Sequence, residues 1–166
     1  DMSVLNYFTK TIEELSEGEI FQMQKASSLD TTEEDYYKII SAKTSSLFIA
    51  SVKSMVYSTG ASDKILDDME CYAYNLGLAF QIRDDLFDYE KTNLIGKPTG
   101  NDIKEKKMTL PLIYALRELP KSESKALLRK IRRHHKNEIK VSEIIEVVKQ
   151  TGGIEYTYTK MVEYKE

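Results

Sequence analysis

Residue types that interrupt helices or form cross-links are scarce in this chain. Its 166 residues include no tryptophan, one cysteine, three prolines and seven glycines. One cysteine excludes an internal disulfide and is typical of a reducing compartment, so we expect a cytoplasmic protein. The scarcity of glycine, proline and alternating β-type runs predicts an all-α protein. Because Cys71 falls close to an apolar helical stripe, we expect a buried structural thiol rather than a nucleophile.

Long apolar runs and strong net charge are also missing. No apolar run approaches the about 20 residues of a membrane span, so no membrane span is predicted. A formal net charge of −3 gives no reason to expect a nucleic acid or a strongly anionic membrane as partner. With 41% hydrophobic residues, the chain can bury the core of one globular unit.

The most informative pattern is an acidic cluster at the end of an apolar helical segment. Its sequence is Asp84-Asp85-Leu86-Phe87-Asp88. If the helix continues through Asp88, the first and last of these aspartates lie one turn apart on one face. Gln81 lies on the same face a turn earlier, and Asp85 lies beside them. The apolar residues that predict the helix are Ile65, Met69, Tyr72, Ala73, Leu76, Ala79 and Phe80.

Carboxylates at this spacing repel one another and oppose the helix dipole, which indicates that a cation satisfies them. With no histidine or cysteine beside them, the expected ion is a hard one such as Mg²⁺, which takes carboxylates together with substrate phosphates. The alternative is a solvated acidic helix end.

A lysine-rich loop follows the cluster. Residues 96–112 are punctuated by glycine and contain four lysines. Metal-binding carboxylates close to anion-binding lysines form the arrangement that phosphate-ester chemistry requires.

These two segments resemble the second aspartate-rich region of the trans-isoprenyl diphosphate synthases, the polyprenyl synthetase family. The resemblance rests on the acidic cluster, on Gly96-Lys97-Pro98-Thr99-Gly100-Asn101-Asp102 and on Lys107-Met108-Thr109-Leu110-Pro111. Gly18-Glu19-Ile20-Phe21-Gln22 and Lys43-Thr44 also resemble family segments. The resemblance implies part of the isoprenoid synthase helical bundle, with antiparallel helices around a central cavity, and a homodimer.

The function implied by the resemblance is that of a Mg²⁺-dependent prenyltransferase in isoprenoid biosynthesis. Such enzymes condense an allylic diphosphate with isopentenyl diphosphate as pyrophosphate departs. The catalytic residues carried over are Lys43, Thr44, Gln81 and Lys97, which also bind substrate together with Lys107. The metal ligands carried over are Asp84, Asp85 and Asp88, of which Asp85 is expected in an outer or structural role.

The resemblance covers only the second part of the family's sequence. The chain has a single D-D-x-x-D motif, and the family's first motif, its isopentenyl diphosphate-binding basic residues and its last helices are not found. Residues 1–166 are therefore expected to form a partial domain, with little turnover alone and with exposed apolar helix faces. The alternatives are a non-catalytic regulatory or structural subunit related to prenyl synthases and a helical bundle with an acidic patch.

Other local patterns give predictions that the structure can test. One helix is expected up to about Leu29, and a second from a capping box of Thr31 and Glu34 to about Ser58. We expect Ser142 to cap a later helix.

Two residues in the first two predicted helices have alternative interpretations. Gly18 marks either a close helix crossing or a substrate contact. Lys43 interrupts an apolar face, either as a snorkelling side chain or as a diphosphate ligand.

The basic segment from Lys121 to Lys136 is expected to be a solvated helix face, because no aromatic residues interleave with its charges.

Overall fold

Helices make up nearly all of the computed structural model, which describes residues 2–90 and 99–164. They are α1 Met2–Ser28, α2 Glu33–Ile40, α3 Ser46–Ser58, α4 Asp63–Phe87, α5 Asn101–Lys104, α6 Leu110–Glu118, α7 Lys121–His134, α8 Glu138–Gln150 and α9 Gly153–Glu163. Within these described ranges there is no β-strand, so the all-α prediction is confirmed. Nor does any helix there have the length and apolar character needed to cross a bilayer.

The predicted helix from the capping box to Ser58 contains an unpredicted π-helical turn. Helix α2 leads directly into this segment, Ser41–Ser45, which leads into α3. A π turn inserts an extra residue into the helical spiral and is frequent at functional sites. Lys43 and Thr44 both lie within it.

Two predicted caps are wrong. Thr32, not Thr31, caps α2: its hydroxyl accepts the Asp35 backbone N–H, and the Asp35 carboxylate accepts the Thr32 backbone N–H. The Asp35 side chain is short enough to reach back to the Thr32 backbone, and it also pairs with Lys25. Both contacts favour a cap one residue later than predicted. Helix α8 begins after Asn137, whose side-chain oxygen accepts the Lys140 backbone N–H, so Ser142 lies inside the helix.

Helix α4, which is 25 residues long, packs against α3, the π segment and α9. Its buried face includes Leu66, Ala73, Leu78 and Ile82. The main core continues through α2, α6, α7 and α8. This packing fixes the end of α4, where the acidic cluster lies, against the π segment.

Two glycines let α1 and α4 approach the π segment closely. A Cβ at Gly77 would lie 2.6 Å from the Cα of Ser45, and a Cβ at Gly18 would lie 2.8 Å from the Cβ of Ala42. Gly18 therefore marks a helix crossing. The space beside Gly77 is filled by Ser45 of the π segment.

We predict that Gly77→Ala destabilises the fold by about 1–3 kcal/mol, the usual cost of overpacking. Alanine is normally more stable than glycine in a helix interior by about 1 kcal/mol, but here its Cβ meets the backbone Cα of Ser45, which cannot rotate away. Ser45 is fully buried and donates a hydrogen bond to the Tyr74 carbonyl, which leaves it little room to move. Urea unfolding of the two proteins measures the difference.

Gly18→Ala provides the comparison for this experiment. Its nearest obstacle is the Ala42 side chain, so adding Ala42→Gly removes the closest contact and leaves the Cγ of the flexible Lys43 side chain at 3.0 Å. We expect the double variant to recover part of the stability lost in Gly18→Ala. A Gly77→Ala protein as stable as the wild type would contradict the packing argument.

Apolar side chains remain exposed on one face of α4 and on α1. On α4 these are Ile65, Tyr72, Leu76 and Phe80, and on α1 they include Met2, Leu5, Phe8 and Ile12. The expectation of exposed apolar helix faces is confirmed for the part of the chain that the structure describes. Cys71 is also exposed, so its predicted burial is wrong: the apolar stripe beside it faces solvent.

The basic helix is solvated, as predicted. Helix α7 ends at His134, and Lys125, Arg129, Arg132 and Arg133 on it are exposed.

Candidate functional site

A cavity of about 260 Å³ brings together most of the predicted site residues. Its wall is formed by α1, α2, the π segment, the end of α4 and residues 102–109. Of the predicted site residues, it contains Lys43, Thr44, Gln81, Asp84, Asp85 and Lys107. Residues more than 60 positions apart in the sequence thus share one pocket.

The lysines of the cavity are held by acidic partners. Lys43 pairs with Glu19 and also donates to the side-chain oxygen of Gln22. The Lys43 hydrogen bond holds the pKa of Glu19 below its ordinary value, although burial opposes this effect. Lys43 therefore lines the cavity with its ammonium group held by two residues of α1, and its side chain is only 24% exposed. The structure keeps it at the cavity wall instead of extending it into solvent as a snorkelling side chain.

Two further lysines lie in the same wall. Lys107 pairs with Glu105 at 2.6 Å and Lys25 with Asp35 at 2.9 Å. The contact between Lys107 and Glu105, together with nearby negative charges, raises the pKa of Lys107, although burial opposes the rise. Three ammonium groups around one pocket make it suitable for a polyanion.

Asp85 is buried, with both carboxylate oxygens engaged. Its Oδ2 accepts the Tyr36 hydroxyl at 2.6 Å, and its Oδ1 accepts the Gln81 amide N–H at 2.8 Å. Burial raises the pKa of Asp85 to about 7 and Asp102 adds to the rise, while the two hydrogen bonds oppose it. Thr44 donates to the amide oxygen of Gln81 at 2.6 Å. The hydrogen bonds link three segments of the cavity wall.

Asp84 and Asp88 differ from Asp85 in their surroundings. Asp84 is exposed and lines the cavity. Helix α4 ends at Phe87, one residue short of the predicted extent, and Asp88 is its C-cap. The Asp88 carboxylate accepts backbone N–H groups from Asn101 and Asp102, at 2.9 and 3.0 Å. It therefore fastens the following segment to the end of α4.

Asp102 closes the acidic side of the cavity. Burial raises its pKa to about 7, the Asp88 charge adds to the rise, and Lys107 opposes it. Its backbone also accepts the N–H of Lys107 at 2.8 Å, so the two residues are held in fixed relation.

The predicted residue Lys97 lies outside the described residues 2–90 and 99–164. Its role in the site stays a prediction.

Sequence reasoning overlooked two residues of the cavity wall, Tyr36 and Lys25. Tyr36 lies in none of the motifs described above. Its spacing of seven residues from Lys43 places both on one helical face, which was the available signal. Its partner Asp85, however, is 49 residues away and is brought close only by the fold.

The donor set fits a hard cation. Between residues 2 and 90 and between 99 and 164, no three His, Cys, Asp or Glu side chains are grouped closely enough to hold a metal by themselves. A site supplied by one or two carboxylates and completed by phosphate oxygens and water is the usual arrangement for Mg²⁺. Asp84 is accessible for that purpose. Asp88 retains lone pairs beyond the two hydrogen bonds that it accepts, because an ionised carboxylate has about four acceptor positions.

Comparison with known proteins gives a consistent result. The model of the family described as polyprenyl synthetase matches residues 1–148. The all-trans-nonaprenyl-diphosphate synthase of Rhodobacter capsulatus is 31% identical over 167 residues, which cover 100% of this chain and 50% of that protein. The short chain isoprenyl diphosphate synthase of Methanothermobacter thermautotrophicus is 33% identical over 151 residues, 90% of this chain and 46% of that protein.

Solved structures share the fold. The polyprenyl synthase from Caulobacter crescentus, complexed with calcium and isoprenyl diphosphate, has a TM-score of 0.91 and 31% identity. The match covers 99% of this chain and 50% of that one. This chain thus spans about half the length of the relatives that it matches. The chain has the all-α isoprenoid synthase fold and belongs to the polyprenyl synthetase family.

Proposed function

We propose that this chain forms the diphosphate- and metal-binding part of a prenyltransferase of isoprenoid biosynthesis. The reaction joins an allylic diphosphate to isopentenyl diphosphate. The observation that carries the proposal is the cavity in which Lys43, Lys107 and Asp84 meet. Family membership adds the substrate class, because the matched relatives are named as prenyl diphosphate synthases.

The proposed chemistry begins with the leaving group. The bond between the allylic carbon and the diphosphate oxygen breaks, so negative charge collects on the departing pyrophosphate. The double bond of isopentenyl diphosphate then attacks the allylic cation, and a proton is lost. Groups that stabilise the negative charge as it develops lower the barrier.

Different residues of the chain are proposed to stabilise the negative charge of the leaving pyrophosphate in different ways. Lys43 and Lys107 supply positive charge, and Thr44 and Gln81 supply hydrogen-bonding groups for the diphosphate oxygens. Lys97 is proposed to join them. Asp84 and Asp88 would hold Mg²⁺, with Asp85 in a supporting role. When bound, the ion would add positive charge beside the leaving pyrophosphate.

The apolar part of the cavity wall has a separate role. Ile39, Ile40 and Met108 line it, and they would keep water away from an allylic cation. A homodimer is proposed as well, because the apolar faces of α1 and α4 are exposed and such faces mark association surfaces.

The experiment that tests the proposal is titration of pyrophosphate into the chain by calorimetry, with and without Mg²⁺. We expect binding that requires Mg²⁺. Binding that ignores Mg²⁺, or no binding, would contradict a metal-dependent diphosphate site on this chain.

A second assay measures catalytic turnover independently of pyrophosphate binding. We expect no measurable chain elongation when the purified 166-residue chain is supplied with geranyl diphosphate and labelled isopentenyl diphosphate. The reason is that its sequence contains one D-D-x-x-D motif, whereas the family's reaction uses two aspartate-rich clusters. Elongation at a rate above that of an Asp84→Ala control would refute this expectation.

A further inference from the structure

Tyr36 lies in the cavity wall but has no part in the function proposed above. Its side chain is 3% exposed, and its hydroxyl donates to Asp85 Oδ2 at 2.6 Å. It belongs to α2, whereas Asp85 lies near the end of α4. A buried tyrosine hydroxyl requires a hydrogen-bond partner, and here that partner is an acidic side chain directly beside the candidate metal ligand Asp84.

The hydrogen bonds around Asp85 run in a defined direction. The Tyr36 hydroxyl and the Gln81 amide nitrogen both donate to the Asp85 carboxylate oxygens. With its nitrogen directed to Asp85, the Gln81 amide presents its oxygen to the Thr44 hydroxyl, which donates to it at 2.6 Å. Each group therefore sets the orientation of the next, from Tyr36 to Thr44.

Asp85 is better suited to this orienting task than to direct ligation of an ion. It is 5% exposed, and both of its oxygens accept hydrogen bonds from protein groups. Asp84, in contrast, is exposed at the cavity.

We propose that Tyr36 is a positioning residue: its hydroxyl fixes Asp85, which orients the Gln81 amide so that the second N–H of that amide is available to a bound diphosphate. This inference rests on the proposed function, because Gln81 and Thr44 are assigned there to the diphosphate. It adds a residue on α2 to the residues proposed to bind the diphosphate, which lie on the π segment, on α4 and in the segment that follows α4.

The neighbouring tyrosine provides a matched control. Tyr37 packs its ring against Tyr164, with ring centroids 5.8 Å apart, and does not line the cavity. Its buried hydroxyl lacks a hydrogen-bond partner among the residues described. The Tyr37 ring also packs against the Tyr36 ring, with centroids 5.4 Å apart. Tyr37→Phe keeps this ring contact and makes the same chemical change one residue away, without removing a hydrogen bond to Asp85.

The first test measures Mg²⁺-dependent pyrophosphate binding by calorimetry. We expect Tyr36→Phe to weaken binding about 5- to 20-fold, as loss of a hydrogen bond to a charged group would do, and Tyr37→Phe to change it by less than about two-fold. In a Gln81→Ala background, Tyr36→Phe should cost less than about two-fold, because the residue through which it acts is gone. An equal loss in both backgrounds would overturn the proposal and indicate a general structural role.

The second test needs no ligand. The side-chain amide signals of Gln81 can be identified in a ¹H–¹⁵N spectrum by their absence from Gln81→Ala. We expect Tyr36→Phe to shift these signals and Tyr37→Phe to leave them in place. Unmoved signals in Tyr36→Phe would overturn the positioning role.

The two tests separate the two proposals. If the wild-type chain does not bind pyrophosphate, the proposed function fails, while the amide signals still decide whether Tyr36 orients Gln81. If pyrophosphate binds with Mg²⁺ but Tyr36→Phe changes neither affinity nor spectrum, the proposed function stands and the positioning role fails.

Discussion

Replacing Asp84 by alanine is expected to weaken Mg²⁺-dependent pyrophosphate binding by about 100-fold or more. Loss of groups that merely support metal ligands costs about 10- to 100-fold, so removal of a direct ligand should cost at least as much. Among the aspartates of the acidic cluster, Asp84 is the one that is both exposed and in the cavity wall. Calorimetric titration of wild type and variant at fixed Mg²⁺ measures the loss.

Asp68→Ala is the matched control for that experiment. Asp68 is also an exposed aspartate of α4, and at 16 positions before Asp84 it lies about 24 Å away along the helix axis. We expect it to bind pyrophosphate as the wild type does. Circular dichroism melts of both variants check that they remain folded. Equal binding by Asp84→Ala and Asp68→Ala would remove Asp84 from the metal site.

The acidic cluster and the lysines could be predicted because their signal is local. Asp84, Gln81 and Lys107 belong to short ordered segments, and helical spacing alone places the first two on one face. The structure brings them into one cavity with Lys43. Which side chains accept hydrogen bonds from which neighbours was not predictable, because those contacts come from α1, α2 and the segment after α4.

Helix α4 shows why periodicity could not identify its buried face. The helix has two apolar faces, one containing Ile65, Tyr72 and Phe80 and the other containing Leu66 and Leu78. Periodicity detects both but contains no information on which face another helix covers. The structure buries Leu66 and Leu78 and exposes the first face. The mistaken burial of Cys71 follows from the same ambiguity.

The π turn was missed for a different physical reason. Apolar spacing predicts a helical rod, but an extra residue in one turn depends on how the neighbouring helices approach it. Here Gly18 in α1 and Gly77 in α4 allow both helices to approach the turn closely. The turn places Lys43 against Gln22 and Thr44 against Gln81. The sequence shows a glycine in α1 and another in α4, but it does not show which residues these glycines pack against.

The clustering of Asp84, Asp85, Asp88 and Asp102 has a cost that the metal-free chain must bear. Burial and the charge of Asp88 raise the pKa of Asp102 to about 7, while Lys107 compensates only in part. Asp84 and Glu105 add further negative charge nearby. Native proteins accept such local destabilisation at functional sites, where a bound ligand relieves it.

We therefore predict that Asp102→Asn stabilises the metal-free chain at pH 8. The folded pKa of about 7 lies above the unfolded value of about 4, so the folded state retains this proton more firmly. The ionisation cost is absent below pH 4, grows as the pH rises towards 7 and is fully present above 7. A shift of this size corresponds to at most about 4 kcal/mol. Asparagine removes the charge while keeping the backbone N–H that Asp88 accepts.

Urea unfolding in EDTA at pH 8 and pH 4.5 measures this effect. The stability gained by Asp102→Asn should be several-fold larger at pH 8 than at pH 4.5, where it should be less than about 1 kcal/mol. Asp67→Asn, an exposed change on α4, should give no such difference. A gain of equal size at both pH values would mean that Asp102 acts through packing. A loss at pH 8 would mean that its negative charge stabilises the fold, with Lys107 outweighing burial and Asp88. The predicted gain in stability requires that burial and the charge of Asp88 outweigh the attraction of Lys107. In that case the acidic cluster needs a cation to compensate its negative charge.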